Sequence, residues 1–67
     1  MDTIRILDIE VSADLINFQK IADESGLSYT YTCQLLYNMR KSPTAKGLVR
    51  DAVVRLYGSL IKYRTAA

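Results

Sequence analysis

The sequence predicts a small all-α bundle of about four helices, on three grounds. Leu48, Val49, Ala52, Val53, Leu56, Tyr57, Leu60 and Ile61 recur at i, i+1, i+4 and i+5, the wide apolar stripe of a core-facing helix. Two shorter periodic runs flank "SGLS", residues 25–28, where Gly26 suits a left-handed helix end and Ser28 suits the cap of the next helix. The 67 residues make one domain, 1–67, with a small interior.

The N-terminal residues 2–11 admit two readings. Ile4, Leu7 and Val11 fit one helical face, whereas "TIRILDIEV" also fits a strand through its β-branched residues. Helix is expected, because an isolated strand has no obvious partner nearby. After a turn near Ser12, residues 17–25, "NFQKIADES", place Phe18, Ile21 and Ala22 on one helical face. The next helix is expected from about 29 to 40, with Thr32, Leu35, Leu36 and Met39 turned inward. Pro43, in "RKSPTAKG", marks a connection, and Thr44 is expected to cap a helix from about 45 to 63. That helix carries Lys46, Arg50, Asp51, Arg55, Lys62 and Arg64 opposite its stripe, with Val54 outside the stripe. Gly58 within it costs about 1 kcal/mol against Ala, which points to a close approach by another backbone.

Composition narrows the function. Hydrophobic residues are 49% and charged residues 24%, a globular balance. One cysteine permits no internal disulfide, and the lack of His argues against a Cys/His metal site, so no cofactor is expected. Without His or a paired nucleophile and base, Asp8, Glu10 and Asp14 read as a solvated face and not an active site; no enzyme is expected. No apolar run approaches the roughly 20 residues of a membrane span, and Met-Asp-Thr does not open a signal peptide. A cytoplasmic protein is expected.

The net charge of +2 hides a split. Residues 1–26 hold six acids against Arg5 and Lys20, a net of −4, and residues 27–67 hold seven bases against Asp51, a net of +6. Between Leu27 and Arg50 there is no acid at all, which suits a surface that faces a polyanion.

Two short helices joined through "SGLS" are the helix-turn-helix pattern, here about residues 18–40. Ala22 is small where the helices cross, and Gly26 supplies the turn. Leu27 and Leu35 anchor the unit from inside. The outer face of the second helix then carries Tyr29, Thr30, Cys33, Gln34 and Tyr37, which suit base edges in a major groove. Gln34 can pair with adenine through its amide, and Thr30 can meet a base edge or a thymine methyl. Ser28 and the free N–H groups at the helix start suit a phosphate, and Arg40, Lys41, Lys46 and Arg50 suit the flanking backbone. Cys33 is read as a small contact residue, since no neighbouring cation activates its thiol. Tyr57 and Tyr63 are read as packing residues.

"KIADESGLSYTYTCQLLYNMRKSP", residues 20–43, resembles the helix-turn-helix of lactose-repressor-type headpieces and of small phage repressor and Cro-like proteins. The matching residues are Ile21-Ala22, Gly26-Leu27-Ser28-Tyr29 and Leu35-Leu36 with Asn38 after them, and the likeness extends over residues 18–57. Thr32 stands where an aliphatic residue is usual, and Ser25 where a small apolar one is. The resemblance implies base reading by Tyr29, Thr30 and Gln34, and backbone contact by Ser28 and Tyr31, for which core packing is an equal alternative. It implies a sequence-specific regulator of transcription that binds double-stranded DNA, a repressor of phage or mobile-element origin. With no room for a ligand-sensing domain, protein concentration, dimerisation or a partner would regulate it. Leu60, Ile61 and Tyr63 are expected to form a homodimer interface through the C-terminal helix. Two rival readings are a winged-helix DNA-binding module, since "AKGLVRDA" resembles the entry to a wing, and a small helical interaction domain with a basic face.

Overall fold

In the computed structural model, which describes residues 3–63, the chain opens with a β-hairpin of β1 (Thr3–Ile6) and β2 (Ile9–Ser12). A 3-10 turn at Ala13–Leu15 leads to helices α1 (Phe18–Ser25), α2 (Tyr29–Leu36) and α3 (Pro43–Tyr57). A second 3-10 turn, Gly58–Leu60, brings the chain back as β3 (Lys62–Tyr63). The fold is therefore α+β, three helices and a three-stranded antiparallel sheet in the order β1-β2-β3, and not an all-α bundle of four helices.

The N-terminal helix expectation is overturned by period-2 burial. Ile4 and Ile6 of β1 face the core in opposite pairs with Val11 and Ile9 of β2, while Thr3 and Arg5 point to solvent. The missing partner strand comes from the far end of the chain, where Tyr63 and Lys62 pair with Ile9 and Glu10. Leu7 and Asp8 close the hairpin, with Leu7 at φ 53°, so the two-residue loop takes a positive φ at its first position.

The inner sheet face covers the helices, and Ile4, Ile6, Ile9 and Val11 join Ile21, Leu35, Leu36, Ala45, Val49, Ala52 and Val53 in one core. Each fully buried Ile or Leu contributes about 1.5–3 kcal/mol, which is how a chain of this size stays folded. Ala22 is fully buried between the helices, and Leu27 packs against the core from the turn.

Helix ends account for the remaining corrections. α2 stops at Leu36, about four residues early, because Asn38 adopts φ 60°. Asn38 N donates to the Leu35 carbonyl at 3.1 Å and Met39 N to that of Gln34 at 2.7 Å, the paired bonds of a Schellman end. Met39 consequently leaves the inner face and is 71% exposed. α3 is capped by Ser42, whose Oγ accepts from Ala45 N, with Pro43 at the first helical position; Thr44 is not the cap. α3 ends at Tyr57, so the helical spacing of Leu56 and Leu60 carries past the helix itself. Leu48, Leu56 and Leu60 are exposed, whereas Val54, placed outside the stripe by spacing, packs on the core. An added Cβ at Gly58 would meet nothing within 4 Å among the described residues, so no close backbone approach explains this glycine. Arg64 lies outside the described residues.

Candidate nucleic-acid interface

The α1–α2 unit begins with a capped helix. Asn17 Oδ1 accepts from Lys20 N at 3.2 Å, and Asn17 N donates to the Tyr57 hydroxyl at 2.9 Å, which ties the start of α1 to the end of α3. Gly26, at φ 76°, reverses the chain, and the Gly26 and Leu27 N–H groups both donate to the Ala22 carbonyl. A Cβ is costly at this φ. Ser28 then starts α2, its Oγ accepting from Tyr31 N at 3.2 Å. Ser25 Oγ donates to the Ala22 carbonyl at 3.1 Å, so a hydroxyl is tolerated where a small apolar residue is usual.

Thr32 is the exception. It is fully buried, and its Oγ1 has no hydrogen-bond partner among the described residues. The hydroxyl neither bonds back to a carbonyl nor reaches solvent.

With Thr32, Leu35 and Leu36 turned inward, α2 presents Tyr29, Thr30, Gln34, Cys33 and Tyr37 outward. Tyr29 and Thr30 are exposed, Gln34 and Cys33 half-buried. The Cys33 side chain beside Tyr29 pushes the phenol above its ordinary value of 10.0. The Tyr37 ring meets Phe18 edge-on, with centroids 5.6 Å apart, which locks the end of α2 onto the start of α1. Tyr31 is half-buried and packs against the core.

The basic residues separate into different situations. Lys41 is exposed. Arg40 is exposed and its Nε donates to Gln34 Oε1 at 2.9 Å. Lys46 Nζ donates to Asn38 Oδ1 at 3.2 Å, a neutral partner that leaves the charge uncompensated. Arg50 differs, because its Nε and Nη2 donate to Asp8 at 2.8 and 2.9 Å and its Nη1 to Asp51 at 3.3 Å. Both carboxylates, Asp8 first, hold the guanidinium pKa above its ordinary range. Arg50 thus fastens the hairpin turn to α3, and its charge is neutralised. Asp8 and Asp14 are exposed, as a solvated face requires, yet the acids do not stand apart from the bases. Asp8 sits against α3, Glu10 pairs with Arg5 at 2.8 Å, and Glu24 pairs with Arg55 at 3.5 Å.

Asn38, which enters the sequence resemblance without a role, has one in the structure. Its Nδ2 donates to the Arg5 carbonyl at 3.1 Å, so one side chain joins β1, the end of α2 and Lys46 of α3. Asn after a helical run is a recognisable signal for a left-handed helix end, second to Gly. A groove of about 220 Å³ lies elsewhere, lined by Thr3, Glu10, Val11, Ser12, Leu15, Leu60 and Lys62, and no α2 residue borders it. The segment Ala45–Ala52, read as a wing entry in the rival reading, is helical. No helix among the described residues is long and apolar enough to cross a membrane. In comparisons with known proteins, no family model, curated protein or solved structure matches the chain.

Proposed function

We propose that this chain binds double-stranded DNA through α2 in the major groove and acts as a small regulator of transcription, a repressor by resemblance. One observation carries the reading. Two eight-residue helices meet through a left-handed glycine, with the inner face of the second buried and its outer face polar, aromatic and free of acids. A helix with its side chains is about 10–12 Å across, which a major groove of about 12 Å width admits. Tyr29, Thr30, Cys33, Gln34 and Tyr37 meet base edges, while Ser28 and the α2 N-terminus meet a phosphate. Lys41 and Lys46 supply positive charge on the flanking backbone, and Arg40, held at Gln34, adds its charge beside them. Arg50, occupied by Asp8 and Asp51, and Tyr31, packed on the core, have no part in this contact. A homodimer would present two such helices to successive major grooves of cytoplasmic, nucleoid DNA.

The test is selection of bound sequences from a random duplex pool, followed by titration of Gln34→Ala. The variant should lose about 1–3 kcal/mol on the selected site and relax preference at one base pair. Equal losses on selected and random duplex would remove Gln34 from base reading. No enrichment of any sequence would remove specificity altogether.

A further inference from the structure

Gln34 and Arg40 are six residues apart, yet the left-handed turn at Asn38 folds the chain back so that Arg40 Nε reaches Gln34 Oε1 at 2.9 Å. We propose that the two side chains form one reading unit selective for guanine, an inference that rests on the DNA-binding reading above and gives it a base.

A free glutamine amide offers an acceptor and a donor side by side, the pattern that matches adenine N6 and N7. Here a cation takes one lone pair of the amide oxygen in a charge-assisted bond. Turning the amide over would set its NH₂ group against the guanidinium, donor against donor, so the orientation is fixed. The unit then shows the two N–H groups of Gln34 Nε2 and the one remaining lone pair of Oε1, which the adjacent guanidinium makes a poorer acceptor. Beside them is the Nη edge of Arg40, for which the structure has no other hydrogen bond among the described residues. Guanine presents N7 and O6, two acceptors and no donor, in the major groove. A surface rich in donors therefore fits guanine and leaves adenine N6–H₂ poorly served. Half-burial of Gln34 limits its freedom to reach another arrangement.

The full chain and its Gln34→Ala, Arg40→Ala and Arg40→Lys variants are put through the same duplex selection, with circular dichroism to verify folding. The position read by Gln34 is the one whose preference Gln34→Ala relaxes. The wild type should favour guanine there by about tenfold or more over adenine. Arg40→Ala should free Oε1 and bring adenine to parity or above at that position, leaving other positions unchanged. Arg40→Lys, with no planar fork but with donors that still suit guanine, should lower the guanine preference without reversing it while keeping overall affinity. A wild-type preference for adenine, or an Arg40→Ala variant that weakens all sequences alike with the preference intact, overturns the paired unit and leaves DNA binding standing. Failure of the wild type to bind any duplex at low salt overturns both.

Discussion

Thr32 shows how a single side chain can be placed correctly in a fold and still be at odds with its surroundings. A buried hydroxyl without a partner loses its bond to water and gains nothing in return. Thr32→Val keeps the shape and removes the polar atom, so it should raise the unfolding free energy by roughly 1 kcal/mol, visible as a higher urea midpoint at unchanged slope. A lower midpoint would mean that the hydroxyl is satisfied in solution. The glycines make a second contrast. Gly26→Ala must hold a Cβ at φ 76° and should cost about 1–2 kcal/mol. Gly58→Ala, at φ −51° with open space around it, should instead stabilise by about 0.4–1 kcal/mol. Much of this was legible beforehand. Gly26, Ser28 and Leu35 have residue types that fit one role, and they have those roles. Gly58 was misread because a glycine's lack of a side chain does not say why it is tolerated.

Among the elements, the helices depend on residues that local patterning underrates. Asn38 ends α2, holds the Arg5 carbonyl and accepts from Lys46. Asn38→Gly keeps the left-handed backbone and loses the side-chain bonds, whereas Asn38→Ala loses both. The alanine variant should be the less stable of the two and lie about 1–2 kcal/mol below wild type in thermal or urea unfolding. Arg50 fastens the hairpin in a way that depends on pH. The Arg50 guanidinium holds the Asp8 carboxyl below its ordinary value of 3.8. The contribution is complete above that value and is lost as pH falls through the lower, folded-state one. Asp8→Asn should therefore flatten the acid limb of the stability profile below about pH 4 and leave its shape above pH 5 unchanged. α1, the turn and the start of α2 could be read from sequence because each signal lies within a few residues of its effect. The hairpin could not, because "LD" is a weak turn pair and β3 comes from the opposite end of the chain. Leu60 kept the helical beat after the helix had ended at Tyr57, so periodicity alone overran the boundary.

At the scale of the whole molecule, the charge split along the sequence does not become two faces. Asp8, Glu10 and Glu24 each sit against an arginine, so acids from the first 26 residues neutralise bases from both halves of the chain. Among the described residues, the basic side chains around α2 without a carboxylate partner are Arg40, Lys41 and Lys46, so the proposed phosphate grip rests on Lys41 and Lys46, with Arg40 a third contact only where it leaves Gln34. A proposed homodimer would have to place its two α2 helices roughly 34 Å apart, one DNA turn, a spacing set by where α2 lies relative to the two-fold axis. Leu56, Leu60 and Tyr63 are exposed and supply apolar surface for such a pair, contributed by the end of α3, the 3-10 turn and β3, and not by one long helix. Sedimentation of the chain with a selected duplex should then give two chains per duplex, and a palindromic site should emerge from selection; a single chain on an asymmetric site would count against pairing.

The most direct measurement is a fluorescence anisotropy titration of the full chain into random-sequence duplex at two salt concentrations. Two or three neutralised phosphates should weaken binding roughly 10- to 40-fold per chain between about 50 mM and about 200 mM salt. Absence of binding at the lower salt, or binding that does not change with salt, would contradict a DNA-binding role built on α2 and its basic flank.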